Sequence, residues 1–535
     1  MDLLCRSPPI FAGLLALFML YNLWRRRTYR QYNSAGGGLL APEPSGALPF
    51  IGHLHLLHTQ RTGARTLAAI ADKYGPVFTI RLGRFRALII SSREAVRDCF
   101  TVNDRVFANR PMSNAGTYLG YDEASFGFAS YGPYWREIRK LVVVELLSVH
   151  KIGLLKHVQV SEVNAFIKHL YLFANKNEQV PNQKISMSQR LEALIVNMMV
   201  RMIAGKRYSS APDGEADEEA QRVIKFIKEF SSVVATVTTV SEVVPFLKWM
   251  DKWSSQVKSM KRISTEMESL IETWIDEHKL KNPKTTANNN DDDQNFIHVM
   301  LSKIKDDDES IYGHRRENII KATITMLIAA GIETTAIAMT WMLSNLMNNR
   351  HALKRAQQEL DLKIGRRRWA EESDMEELVY LQAIIKETLR LYPPAPLLIP
   401  HVPMEDCCVG GYRIPKGTRL FVNAWKLHRD PRIWSNPEEF EPERFLTNHE
   451  NVDVLGQNFE LVSFGSGRRS CPGTNWALQA IRLTMARLLQ GFDLKTPLNA
   501  PVDMTEDQSA SATMTKATPL QLVLTPRLPH HLYQL

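Results

Sequence analysis

The stretch FGSGRRSCPGTNWALQ, residues 464–479, decides how this chain is read. It sets Cys471 between a glycine-rich loop with two arginines and the start of an apolar helix. The 535 residues hold five cysteines, Cys5, Cys99, Cys407, Cys408 and Cys471, with no C-x-x-C pair. That excludes zinc-ribbon and thioredoxin patterns, and the odd, irregular set fits a reducing compartment rather than a disulfide framework. Cys471 is then either an ordinary core cysteine or a sulfur that binds something. Gly465 and Gly467 permit tight turns and close approach of a flat ligand. Pro472 suits the first turn of a helix continuing as TNWALQAIRLTMARLLQGF. A helix N-terminus, loop N–H groups and the charges of Arg468 and Arg469 all favour a thiolate. A lone sulfur is too little for structural zinc, which takes a full tetrahedral set of protein ligands. It suffices as an axial ligand of haem iron, whose equatorial positions the porphyrin fills.

Working outward, residues 7–24, SPPIFAGLLALFMLYNLW, carry no charge and are followed at once by Arg25, Arg26, Arg27 and Arg30. At about 1.5 Å per residue such a helix just spans a bilayer core. The basic flank places the rest of the chain in the cytosol. The composition, 44% hydrophobic and 23% charged, allows a sizeable core. The net charge of +9 suits a membrane surface or an acidic partner, and no nucleic-acid partner is expected.

APEPSGALPFIGHLH, residues 41–55, reads as a stiff proline-rich spacer. Three domains of organisation follow: an anchor with its basic flank over 1–30, a linker over 31–50 and a body over 51–535. VFTIRLGRFRALIISS (77–92) alternates as a hairpin, and 408–423 and 519–527 are further strand candidates. Residues 378–393 have helical periodicity, and 318–349 are apolar nearly all round, as in a helix through the core. The polar stretches 211–219 and 282–295 read as solvated loops. The expected fold is mainly α with a minor β region, in one large body behind an N-terminal transmembrane helix.

Residues 464–473 match F-x-x-G-x-R-x-C-x-G through Phe464, Gly467, Arg469, Cys471 and Gly473. The pattern resembles the haem-binding loop of the cytochrome P-450 haem-thiolate monooxygenases. That resemblance implies haem b, with Cys471 as the axial iron ligand, and a single large haem-thiolate fold. Further landmarks agree. AAGIETT (329–335) puts Gly331, Glu333 and Thr334 inside the long apolar helix. A buried glutamate there is costly unless paired or used. The residues fit equally a threonine bonded back to its own helix and a glutamate paired elsewhere. The resemblance implies that Thr334 and Glu333 handle protons during O2 activation. KETLR supplies Glu387 and Arg390 on one helix face, spacing that also occurs at Glu94/Arg97, Glu219/Arg222 and Glu441/Arg444. By resemblance Glu387, Arg390 and Arg444 form a structural triad beneath the haem. Trp135 and Arg139 in YWREIRK, with Arg469 and His401, are implied partners of the haem propionates.

YGPYWREIRKL, EESDMEELVYLQAIIKETLRLYPPAP and KATPL resemble a plant microsomal branch acting on alkaloids, terpenoids or phenolics. This implies NADPH- and O2-dependent oxidation of a lipophilic substrate at the endoplasmic reticulum membrane. By the same analogy, residues 111–129, 326–330, 395–399 and 509–515 wall the substrate pocket. The chain has no G-x-G-x-x-G and no flavin region, so the electrons of NADPH are expected from a separate reductase, docked in part by Arg136 and Lys140. The rival readings are a haem-thiolate isomerase or dehydratase acting on a peroxide without reductase, and a membrane-tethered haem sensor without turnover.

Overall fold

The computed structural model describes residues 38–57, 62–176, 184–208, 217–235, 251–280, 295–304, 311–509 and 511–534, with Met19, Glu242 and Trp249 singly. The expected membrane anchor, its arginine flank and nearly all of the two polar stretches lie outside the described residues.

The principal helices are α1 (Gly63–Tyr74), α2 (Arg93–Phe100), α3 (Pro133–Val142), α4 (Lys156–Lys176), α5 (Met187–Ala204), α6 (Glu218–Ala235), α7 (Ser255–Leu280), α8 (Phe296–Lys303), α9 (Arg316–Asn348), α10 (Arg350–Lys363), α11 (Val379–Leu391) and α12 (Thr474–Gly491). α9 is the axis of the body, touching α5, α6, α7, α8, α10, α11 and α12. Its 33 residues are long and apolar enough to cross a membrane, yet 83% of its most apolar window is buried in protein. A helix hydrophobic on every face needs partners all round, and here other helices supply them. Local signals set several helix starts. Ser92 accepts from the Ala95 N–H to cap α2, and Asn295 accepts from the His298 N–H to cap α8. Residues 218 and 219, expected in a loop, belong instead to α6. Asp217 accepts from the Glu219 N–H at 3.0 Å, and two glutamates open the helix where its N–H groups favour negative charge.

Among the described residues the strands make three small sheets. β1 (Val77–Leu82) and β2 (Phe85–Ile90) form the expected hairpin, with Leu82 opposite Phe85 and Gly83 at φ +61° in the turn. The stretch 408–423 divides between two sheets. β4 (Cys407–Val409) and β5 (Tyr412–Ile414) pair across Gly410 and Gly411, while β6 (Arg419–Val422) lies parallel to β2. The tail strand β8 (Gln521–Pro526) sits between β3 (Ile185–Ser186) and β7 (Phe492–Lys495).

The segment expected as a spacer is packed around Ala41–Pro44 and at Gly52 and His53, with Leu48, Phe50 and Ile51 exposed between them. Thr79 donates its backbone N–H to the Pro42 carbonyl, Arg81 pairs with Glu43 at 2.6 Å, and His53 bridges Pro44 and Arg81. Its prolines leave carbonyls free to accept from β1 while offering no N–H of their own.

Candidate active site

The loop before α12 turns on Gly465 (φ +71°) and Gly467 (φ +68°), where side chains are strained. A Cβ at Gly467 would stand 2.4 Å from Asp104 Oδ1. Asp104 accepts the Arg468 N–H at 2.9 Å and pairs with its guanidinium at 2.8 Å, pinning the loop from outside. The Cys471 N–H donates to the Phe464 carbonyl at 2.9 Å, so the ends of the motif close on each other. α12 starts at Thr474, not at Pro472, which stands in the preceding turn. The Gly473 N–H and the nearby Arg139 charge favour the thiolate, while the Thr474 hydroxyl donates to the Cys471 carbonyl at 3.0 Å. Burial outweighs them and pushes the thiol up. Cys471 nonetheless keeps exposed surface while lying this deep, so the residue faces an internal opening.

On α9 the accessible residues of the apolar central stretch are Ala330, Gly331 and Thr334. Ala330 and Thr334, four apart, form one stripe. The Thr334 hydroxyl donates back to the Ala330 carbonyl at 2.7 Å. Gly331 answers mainly to α5, for a Cβ there would meet Met199 Cε at 3.0 Å. The small-residue patch thus serves helix packing at Gly331 and leaves Ala330 as its open surface. Glu333 is buried and accepts from Ser231 of α6 and Thr513. It makes no bond to Thr334, and burial raises its carboxyl above the usual range.

Trp135, Arg139, His401 and Arg469 converge, and Arg110 joins them. Trp135 Nε1 and Arg469 share the Phe126 carbonyl at 3.1 and 3.2 Å. Arg469 lies 4.3 Å from the Trp135 ring centroid, and Arg139 lies 5.4 Å from it. Arg139 donates to the Ser470 carbonyl beside Cys471 at 2.6 Å. Arg110 donates to the carbonyls of Ile399 and Pro400 at 2.9 and 2.7 Å, and its buried Nε has no partner among the described residues. Burial and mutual repulsion pull Arg469 down to about 8 and Arg110 to about 9, and burial also lowers Arg139. Among the described residues no carboxylate is bonded to any of the three. One buried guanidinium, Arg110, and two half-buried ones, Arg139 and Arg469, without a carboxylate partner among the described residues fit a dianionic group such as the two propionates of haem.

His401 holds its ring proton toward the protein. Its Nδ1 lies 2.7 Å from the Phe107 carbonyl, which can only accept, so the ring proton is on Nδ1. Burial and the neighbouring arginines hold it well below the ordinary imidazole range. A neutral His401 therefore has no Nε2 proton to give an anion; only a carboxylate brought close would draw a second proton onto the ring. Arg110 was missed by sequence reading because an arginine before a proline carries no spacing signal of its own.

Where the cysteine loop meets α11 the charges are matched. Glu387 accepts two bonds from Arg390 at 2.7 and 2.8 Å and one from Arg444 at 3.1 Å, all three side chains being buried. Arg390 spends its remaining donors on the carbonyls of His428, Pro437 and Glu439. His428 Nε2 accepts the Val462 N–H at 3.0 Å, and Ser463 donates to the Leu389 carbonyl at 2.9 Å, tying the cysteine loop to α11. Of the four pairs with this spacing, Glu387/Arg390 is wholly inaccessible.

The segments expected as pocket walls meet around α9. Gly127 packs on Met326 so closely that a Cβ would lie 2.6 Å from Met326 Cε. Met514 donates its N–H to Pro394 at 2.9 Å and accepts from Trp341 of α9 at 2.7 Å.

The cytochrome P450 family profile matches residues 42–524. Cytochrome P450 CYP82J17 of Trigonella foenum-graecum is 46% identical over 99% of both chains. Nicotine N-demethylase CYP82E4 of Nicotiana tomentosiformis is 44% identical over 96% of this chain and 97% of that one. Xanthotoxin 5-hydroxylase CYP82C2 of Arabidopsis thaliana is 46% identical over 92% and 94%. A solved zebra fish cytochrome P450 with progesterone superimposes with a TM-score of 0.71 at 25% identity, covering 87% of this chain and all of that one. Sequence, fold and relatives agree that the chain belongs to the cytochrome P450 family of haem-containing monooxygenases, which use haem b and NADPH electrons supplied by a reductase.

Proposed function

We propose that the chain oxidises a lipophilic plant specialised metabolite, such as an alkaloid, terpenoid or phenolic, by hydroxylation or by hydroxylation-driven demethylation or cleavage. Residues 7–24 anchor it in the endoplasmic reticulum membrane, 31–50 connect, and the body from 51 works in the cytosol beside its reductase. Support for the substrate class comes from relatives named for nicotine, xanthotoxin and vinorine. The observation that carries the site assignment is the buried Arg110 with the half-buried Arg139 and Arg469, none bonded to a carboxylate among the described residues, beside an accessible Cys471.

In this reading Cys471 would hold the haem iron, framed by Phe464 and Gly473, with the Gly473 N–H favouring its thiolate. Trp135, Arg139, Arg469 and Arg110 would hold the propionates, and His401 would add a donor at Nε2 in its doubly protonated form. Haem, when bound, supplies the redox-active iron at which O2 is activated. Thr334 presents its hydroxyl on the open stripe of α9 and, on leaving the Ala330 carbonyl, moves a proton at Oγ1. Glu333, protonated to a higher pH than an ordinary carboxyl, refills it. Glu387, Arg390 and Arg444 keep the loop from moving. Arg136 and Lys140, both exposed, offer the reductase a basic face.

Microsomes containing this chain and a reductase, profiled against a plant metabolite library, test the reading. Oxidised product that requires NADPH and reductase is expected. Turnover of a peroxide without either would overturn it.

A further inference from the structure

Glu333 does not look toward Thr334. On α9, successive residues are about 100° apart, so Glu333 and Thr334 flank the open Ala330 position on opposite sides. The carboxylate turns to a group of hydroxyls from two distant segments. Ser231, buried on α6, donates to Glu333 Oε2. Thr513, in the turn before β8, donates to the same carboxylate, and its Oγ1 lies 2.9 Å from Ser511 Oγ. The two segments are themselves joined, Ala512 N–H donating to the Ser231 carbonyl at 3.3 Å. The other charged groups facing Glu333 are Glu192 of α5 and Lys228 of α6, which pair with each other at 3.2 Å.

We propose that Ser231 and Thr513 are positioning residues that set the orientation of Glu333, coupling the proton-handling acid of α9 to the placement of α6 and the 511–515 turn. The inference rests on the reading that Glu333 supplies protons to Thr334. Both hydroxyls act through Glu333 and neither touches the reacting atoms. Because both donate to the carboxylate, they stabilise its ionised form against burial. A shift of either segment by a fraction of a hydrogen-bond length changes where the carboxyl points.

The test compares Ser231→Ala, Thr513→Val and the double variant with Glu333→Gln, in reductase-containing microsomes and in purified haem-loaded protein. The first readout is the infrared band of the protonated Glu333 carboxyl through a pH titration, assigned by its disappearance in Glu333→Gln. In the double variant the band is expected to change frequency and persist to higher pH, since two donors to the carboxylate are gone. The second is product formed per NADPH, expected to fall about three- to tenfold with a matching rise in peroxide. Ser231→Thr should restore both to within about twofold. A wild-type carbonyl spectrum establishes that each variant folds, and Thr513→Val alone suffices if the double variant does not. An unmoved band and unchanged coupling in Ser231→Ala and Thr513→Val, with Glu333→Gln impaired, would overturn the inference. Full coupling in Glu333→Gln would instead overturn the relay reading, while the band would still report whether the two hydroxyls hold the carboxyl.

Discussion

Two groups of wholly or partly buried charge adjoin the loop that carries Cys471, and they are built to opposite rules. Around Glu387 every charge has its counter-charge and nearly every donor an acceptor within about 3 Å. Around Arg469 the cations repel one another and are met only by carbonyls. Buried charge is tolerated when paired and hydrogen-bonded; left unpaired it is costly. The first group is therefore complete as protein, and the second becomes complete only with an anion.

The largest expected effect breaks the complete group. Glu387→Ala leaves Arg390 and Arg444 buried without their shared carboxylate, a loss of about 3–5 kcal/mol. Denaturant unfolding and the yield of haem-loaded protein should both collapse. A haem-loaded variant of wild-type stability would show that the three residues carry no structural load. Next comes the incomplete group. Arg110→Leu should change apoprotein stability by less than about 1 kcal/mol, because relief of desolvation offsets the lost carbonyl bonds. Haem affinity should fall about 10- to 100-fold, the worth of a hydrogen bond to a charged group. Loss of stability with unchanged haem affinity would place Arg110 with the structural charges.

A pH experiment sharpens the comparison at the seam between the groups. His428 accepts the Val462 N–H and is neutral, burial and two arginines holding it at about 3. Its folded value lies below its unfolded one. The stability it contributes is thus present above the ordinary imidazole range, near pH 6.5, and is lost as pH falls. Over the window from about 6.5 down to about 3 the loss is about 1.4 kcal/mol per pH unit. Haem release, followed by absorbance, should begin below pH 6.5 and be flatter with pH in His428→Gln. Identical acid profiles would remove His428 from the account. The smallest effect concerns exposed charge. Reversing Arg136 and Lys140 should slow reduction by the reductase by less than about tenfold at low salt, with full haem content. No change across a salt series would leave those residues as solvated surface.

The same contrast explains what the sequence disclosed. Cys471 and its glycines, the Glu333–Thr334 pair and the Glu387/Arg390 spacing are local patterns whose geometry follows from a turn or a helix. The long apolar run 318–349 and the 77–92 hairpin announced α9 and the first sheet for the same reason. Arg110, His428, Ser231 and Thr513 draw their roles from segments far away in sequence, and no spacing encodes such meetings. Pro472 shows the limit at an element boundary. A proline suited to a first helical turn stands in the turn before it, the helix starting only at Thr474.

The central claim is that the Cys471 sulfur binds haem iron, and the carbonyl spectrum of reduced Cys471→Ser protein tests it most directly. Haem without the red-shifted band of thiolate ligation is the result this account predicts. A variant that keeps the wild-type red-shifted band would contradict it.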